Sequence, residues 1–255
     1  MNYPKVSFIT TSFNNKNLLE RTFKSTLEQD YPNIEHIVID GGSTDGTLEL
    51  LKTYEALYNG RLIWISESDK GIYDAINKGH KLVTGEYILF GSDPFINKHV
   101  ITKMITRIID GNFDGCFGGL ITVVNNRIIR KWSGKSGNIR YGWIPATPTL
   151  CCKKDVIDKC GNFKTDYRVS ADYEYSIRLF YKTDYRFVAI EEPLILFEGG
   201  GSSNGGLRAN LISIGEGHKA LKENRIRLAA FTDLCRIIRS FWQYRYILTR
   251  KEYTK

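Results

Sequence analysis

The sequence predicts an α/β fold in which a mostly parallel sheet is wound by helices and followed by an amphipathic helical tail. Two observations predict it. Segments rich in β-branched and aromatic residues alternate with segments of helical period four times within roughly the first ninety residues. Each β segment also runs into a polar cluster, acidic in three of the four cases. The chain has 255 residues, 42% hydrophobic and 25% charged, which suits one large core without a Pro/Gly/Ser-rich linker.

Lys5 to Thr10 (KVSFIT) has the composition of a buried strand, and the polar turn Ser12 to Lys16 leads into a helix. In that helix Leu19, Phe23 and Leu27 recur every fourth residue, until Tyr31-Pro32-Asn33 breaks it. Ile34 to Asp40 (IEHIVID) is a second strand, followed by a helix with Leu48, Leu51 and Tyr54 on one face. Leu62 to Ser66 is a third strand, Ile72 to Leu82 a third helix, and Glu86 to Phe90 (EYILF) a fourth strand. The second half is less regular. Cys116 to Val124 and Arg127 to Trp132 form a strand pair turning at Asn125-Asn126, Ala171 to Tyr181 a helix, and Tyr185 to Ile190 a strand. Gly199 to Gly206 (GGGSSNGG) reads as a flexible loop, either a lid or a substrate-facing turn.

Right-handed crossovers make such a sheet parallel, and ligands sit at the carboxyl ends of its strands. Those ends are Thr10 to Asn14, Asp40 to Asp45, Glu67 to Lys70 and Gly91 to Asp93. The five cysteines form no Cys-x-x-Cys pair, and an odd number reads as free thiols. His36, His80, His99 and His218 show no metal-ligand spacing and read as surface or packing residues. No apolar run reaches the roughly 20 residues of a membrane span. Met1 runs straight into a strand-like segment without a leader pattern, so the expected location is cytoplasmic.

Several segments resemble family 2 glycosyltransferases. Val6 to Asn14 (VSFITTSFN) looks like their opening strand and turn, and Ile37 to Thr47 (IVIDGGSTDGT) like their Asp-Asp-Gly-Ser-Thr-Asp-Gly-Thr segment. Asp69 to Gly79 (DKGIYDAINKG) and Gly85 to Ile88 are similar to a branch that builds bacterial surface polysaccharides of the colanic-acid and O-antigen type. Ser170 to Glu174 (SADYE) and Gly200 to Asn204 continue the resemblance, which covers roughly residues 4 to 206. It implies a GT-A fold with a Rossmann-like nucleotide-binding sheet and inverting transfer of a sugar from a nucleotide-diphosphate donor. A UDP-sugar is the favoured donor, and the acceptor is a glycan, expected on a lipid diphosphate.

The resemblance also implies site residues. Thr11, Phe13 and Asn14 line the donor site, with Phe13 near the base and Asp40 accepting from its imide N–H; the alternative for Asp40 is a turn-capping carboxylate. Gly41 replaces a second acid common in the family. Asp69 and Lys70 stand where further base and phosphate contacts are expected, with a surface ion pair as the alternative. Asp45 reads as a helix cap, and Asp74 and Asn77 either cap the third helix or orient the site. Asp93 is the implied ligand for Mn²⁺ or Mg²⁺, although Pro94 replaces the usual second acid of an Asp-x-Asp motif. Asp172 is the implied base; an anionic partner for a helix dipole is its alternative. Trp143 and Thr149 stand where an acceptor is expected, and core packing serves Trp143 equally well.

The net charge is +8. Between Lys219 and Lys255 ten Lys/Arg face three acids, a net +7 that leaves about +1 for the preceding residues. This confines the basic charge and argues against a nucleic-acid binder. From Phe231 to Leu248 a helical projection puts Phe231, Leu234, Ile237, Ile238, Phe241, Trp242 and Leu248 opposite Asp233, Arg236, Arg239, Ser240 and Gln243. Such a helix suits an anionic membrane surface, a second subunit or the catalytic body itself. The expected organisation is a transferase domain over 1–218, with a nucleotide-sugar half (1–95) and an acceptor half (96–218), and a basic tail over 219–255, peripheral on the inner face of the membrane. Two other readings remain: a non-catalytic scaffold that binds nucleotide-sugar, suggested by Gly41 and Pro94, and a nucleotidyltransferase. The latter lacks its usual basic, Gly-rich loop, since Thr-Ser-Phe-Asn follows the first strand.

Overall fold

A computed structural model describes residues 3–198, 206–244 and 253. Its first half follows the alternation in the sequence: β1 (Val6–Ser12), α1 (Lys16–Leu27), β2 (Ile34–Asp40), α2 (Thr47–Tyr58), β3 (Leu62–Ser66), α3 (Ile72–His80) and β4 (Tyr87–Phe90). The second half contains α4 (Val100–Asp110), β5 (Gly115–Val124), β6 (Arg127–Trp132), β7 (Cys151–Lys153), α5 (Lys154–Cys160), α6 (Ala171–Tyr181), β8 (Phe187–Glu198), α7 (Gly206–Glu223) and α8 (Ala229–Gln243).

One eight-stranded sheet runs in the order β3-β2-β1-β4-β7-β5-β6, and β8 pairs with β5 in parallel. Strands β1 to β4 are mutually parallel, whereas β7 joins β4 and β5 antiparallel. All seven residues of β2 are buried, as expected of a strand covered on both faces. Alternate side chains serve the two layers. Ile9, Ile37 and Ile39 join the core beneath α3, α5 and α6, while Phe8 joins the core containing the apolar face of α4 and Val38 that of α1 and α2.

His36 is a packing residue of the buried β2. Its ring lies 2.8 Å from Thr10 Oγ1 and 2.7 Å from the Tyr58 hydroxyl, and burial pushes its pKa down to about 3. The β5–β6 hairpin turns at Asn125 and Asn126, both at positive φ (49° and 59°), as a two-residue turn of matching twist requires. Helix α7 runs across residue 218, where the sequence suggests a domain boundary. The Gly199–Gly205 part of the expected loop lies outside the described residues, as does Leu248 of the tail. Among the described residues no helix is long and apolar enough to cross a membrane.

Candidate active site

The carboxyl ends of β1, β2, β3 and β4 bring Thr11, Phe13, Asn14, Asp40, Asp69, Lys70 and Asp93 to one edge of the sheet. Two of these residues tie neighbouring loops together. Thr11 is bonded through its backbone and hydroxyl to Ser92 beyond β4, with contacts of 2.9 to 3.2 Å. Asn14, in the left-handed region, donates its N–H to Ser43 Oγ at 2.7 Å and accepts the Thr44 N–H at 2.9 Å. Asp45 accepts from the Lys16 N–H and from the Thr47 hydroxyl, at the starts of both α1 and α2, which is the capping role its position suggests.

Asp40 is 0% exposed. Its carboxylate accepts from the N–H groups of Gly42 (3.1 Å) and Ser43 (2.9 Å) and from the hydroxyls of Ser43 (2.5 Å) and Ser66 (2.7 Å). The geometry therefore supplies the turn-holding alternative for Asp40: four donors from its own turn and from β3 enclose both oxygens. Gly42 at φ +83° gives that turn a shape L side chains rarely adopt.

Gly41, beside it, leaves no room for a side chain. A Cβ there would meet Asp69 Oδ2 at 2.7 Å and the Phe13 ring at 3.2 Å. The carboxylate that the family pattern puts at this position is thus replaced in space by Asp69, arriving from the end of β3. Its other oxygen accepts the Gly71 N–H at 2.8 Å, which fixes its orientation. Phe13, 64% exposed, brings its ring to the same side of Gly41 as Asp69 Oδ2. An aromatic face and an in-plane acceptor are what a nucleobase with an imide N–H requires.

Asp93 is buried, at 6% exposure, and Pro94 brings no second carboxylate. Among the described residues no group of three His, Cys, Asp or Glu side chains gathers around one point. One hard oxygen ligand fits Mg²⁺ or Mn²⁺ only where substrate phosphates complete the shell, the usual habit of Mg²⁺ in phosphate chemistry.

Asp172 lies in the first turn of α6. Its Oδ1 accepts the Tyr173 N–H at 2.8 Å and the Tyr73 hydroxyl at 3.4 Å. Desolvation raises its pKa above the ordinary carboxylate value, opposed by these bonds and by the charge of Arg236. A carboxylate whose proton affinity is raised by burial yet held in place by donors suits a general base. Glu216 of α7 fixes the segment leading to Asp172 by accepting the N–H groups of Arg168 (2.6 Å), Val169 (2.9 Å) and Ser170 (2.9 Å).

A cavity of about 400 Å³ opens between the loop after β3 and the loop before α6, lined by Lys70, Tyr73, Asp74, Asp166, Tyr167 and Arg168 among others. Tyr73 thus connects Asp172 to a space rimmed by two exposed cations, Lys70 and Arg168. Sequence reasoning singled out neither Tyr73 nor Arg168 nor Glu216. Tyr73 sits inside the DKGIYDAINKG segment, whereas Glu216 acts through backbone groups 46 to 48 residues away, which no local pattern displays. Asp74 accepts the Lys70 N–H at 3.1 Å, and buried Asn77 exchanges two bonds with the Phe163 backbone. Both are anchors for the loops that rim the cavity.

Trp143 and Thr149, expected near the acceptor, are in the core instead. The Trp143 ring meets Phe117 and Phe180 edge-on and donates Nε1–H to the Lys135 carbonyl at 2.8 Å. Thr149 is fully buried and bridges the Gly118 and Ala146 carbonyls. Neither side chain offers a surface to a sugar, because the segment that carries them fills the space beside β4 and β5.

The mycobacterial PGL/p-HBAD biosynthesis glycosyltransferases of Mycobacterium tuberculosis and Mycobacterium bovis are 28% identical over 191 residues, 69% of this chain and 70% of theirs. The putative teichuronic acid biosynthesis glycosyltransferase TuaG of Bacillus subtilis is 32% identical over 117 residues, 46% of each chain. Among solved structures, S. aureus TarS 1-349 in complex with UDP-GlcNAc superposes with a TM-score of 0.68 at 17% identity, over 91% of this chain and 70% of that one. The mannosyltransferase PcManGT of Pyrobaculum calidifontis, with GDP-Man and Mn²⁺, gives 0.64 at 17% identity, over 95% and 76%. At that identity the superpositions establish the shared GT-A-like fold. The Glycosyl transferase family 2 model matches residues 7–168, well over half of the sequence, and the chain belongs to that family of glycosyltransferases.

Proposed function

We propose that this chain is an inverting glycosyltransferase of surface glycan assembly, which moves a sugar from a UDP-sugar to a hydroxyl of a glycan carried on a lipid diphosphate. The observation that carries the reading is the pairing of an exposed aromatic ring, Phe13, and a carboxylate, Asp69, on one side of Gly41 with a desolvated, oriented carboxylate, Asp172, in one fold. The names of the mycobacterial relatives and of TuaG support the assembly role. The UDP-GlcNAc bound to TarS supports the nucleotide.

In this reading the base stacks against Phe13, and its imide N–H donates to Asp69 Oδ2, the role the sequence suggests for Asp40. Thr11 and Asn14 hold the loops around these groups. Lys70, with Arg168 across the cavity, neutralises phosphate charge. Asp93 would hold a divalent cation together with the diphosphate, and that cation would stabilise the charge of the leaving group. Asp172 takes the proton of the acceptor hydroxyl as its oxygen bonds to the anomeric carbon, and the nucleoside diphosphate departs from the opposite face with the bonding electrons. The acceptor occupies the cavity beside Tyr73, and a lipid-borne acceptor places the enzyme at the membrane.

The test is release of nucleoside diphosphate from UDP-, GDP- and dTDP-sugars in the presence of a lipid-diphosphate glycan. One nucleotide class should turn over, and Asp172→Asn should slow it by about 10²- to 10⁴-fold. Binding without turnover in the wild type would favour the scaffold reading instead.

A further inference from the structure

Helix α8 is amphipathic, yet its polar side is the one that docks. Thr232 Oγ1 donates to the Arg140 carbonyl at 3.0 Å, and Asp233 pairs with His218 Nδ1 at 2.6 Å. Arg236 donates to the Ser213 and Ile214 carbonyls at 3.3 Å. Gly217 on α7 makes room for that guanidinium, since a Cβ there would lie 2.2 Å from it. A helix that covers a core normally turns its apolar stripe inward. Here Phe231, Leu234, Ile238, Phe241 and Trp242 are all exposed, Phe241 at 76% and Trp242 at 67%. At about 100° per residue they fall within an arc of roughly 100°, opposite Thr232, Asp233 and Arg236.

Tyr141, also exposed, extends the stripe with its ring 6.2 Å from Phe231. Isolated exposed apolar residues are ordinary, but a continuous stripe with four aromatic rings is not. Exposed Lys222, Arg225 and Arg227 lie just before the helix, and exposed Arg239 donates to the Tyr141 carbonyl.

We propose that the outer face of α8 docks on an anionic lipid bilayer. The aromatic and aliphatic side chains enter the boundary between headgroups and acyl chains, and the flanking cations meet the lipid phosphates. Charge selects this occupant over a second copy of the chain, because a twofold interface on this stripe would bring the arginine clusters of both copies together. The docking face is rigidly joined to the base. Arg236 lies over the Tyr173 ring at 4.8 Å, one residue from Asp172. A membrane contact at α8 therefore sets the height of the base above the lipid.

The experiment floats the full chain with vesicles of phosphatidylcholine alone and with about 30% phosphatidylglycerol, at low and high salt, and follows Trp242 emission. It uses no donor, so its outcome is separate from that of the transferase reading. Binding should be confined to the anionic vesicles, weaken in high salt and shift the emission to the blue. A Phe241→Ser/Trp242→Ser variant should melt as the wild type does and bind at least tenfold more weakly, and Arg225→Glu/Arg227→Glu should lose the preference for anionic lipid. The proposal is overturned by no vesicle binding, or by undiminished binding of the apolar variant. It is likewise overturned by a wild-type dimer that the apolar variant converts to monomer.

Discussion

Asp40 and Asp69 end neighbouring strands and make opposite use of a carboxylate. Asp40 commits both oxygens to its own turn and to Ser66 of β3, so Asp40→Asn should act on folding. Losing charge-assisted bonds of about 1.5–3 kcal/mol each should lower Tm by about 5 °C or more. Asp69 sets an oxygen against Gly41 on the side of the exposed Phe13 ring, so Asp69→Asn should leave Tm nearly unchanged and weaken nucleotide binding about tenfold or more. Melting curves with and without nucleotide separate the two. The acid DGGS segment was legible in the sequence; which acid faces a ligand was not, because it depends on the absent Cβ of Gly41 and the path of a loop 28 residues on. Asp172 carries a pH prediction. Its pKa is raised by desolvation and activity needs the ionised form, so activity falls with pH at values above the ordinary carboxylate range. Tyr73→Phe removes a donor that favours the charged form and should move this acid limb of kcat/KM to higher pH, whereas a purely packing role would leave it in place.

At the scale of elements, α6, α7 and α8 form one unit around the base. Glu216 of α7 holds three successive N–H groups leading into α6, and α8 locks onto α7 through Asp233 and Arg236. Glu216→Ala should lower kcat about tenfold or more with donor Kd unchanged, as measured by single-turnover kinetics beside nucleotide titration. The parallel half of the sheet was legible because each strand is an apolar run between clear breakers, and α6 was legible to its ends, Ala171 and Tyr181. Two elements were too short to show a period, the three residues of β7 and the seven of α5. Helix α4 does carry helical spacing, with Val100, Ile101, Met104, Ile105 and Ile108 buried, but sits in the half where strand signals dominate. The amphipathic sorting of the tail was plain in the sequence. That its polar side faces inward was not, since docking depends on His218, Ser213 and Arg140, distant in sequence.

Across the whole molecule, a buried network of polar groups ties the amino ends of the sheet together, away from the candidate site. Glu35 on β2 accepts from Ser7 on β1, from the Thr84 backbone and hydroxyl, and pairs with Lys5 at 2.6 Å. Burial raises its pKa, but these partners outweigh that effect and hold it down at about 2. The stabilisation is present above the unfolded value and lost as pH falls through the folded one. Glu35→Gln should therefore cost about 3 kcal/mol by denaturant titration near neutrality, with the difference shrinking between about pH 4.5 and 2. The opposite edge of the same sheet carries the proposed nucleotide-sugar site, with Asp69 reading the base and Asp172 serving transfer. Its most direct measurement is the melting temperature of wild type, Asp69→Asn and Asp172→Asn with UDP-, GDP-, dTDP- and CDP-sugars. The melting temperature should rise for nucleotides with an imide N–H, UDP-sugars foremost, with the rise sharply reduced by Asp69→Asn and kept by Asp172→Asn. No rise with any nucleotide-sugar, or a rise that survives Asp69→Asn intact, would contradict it.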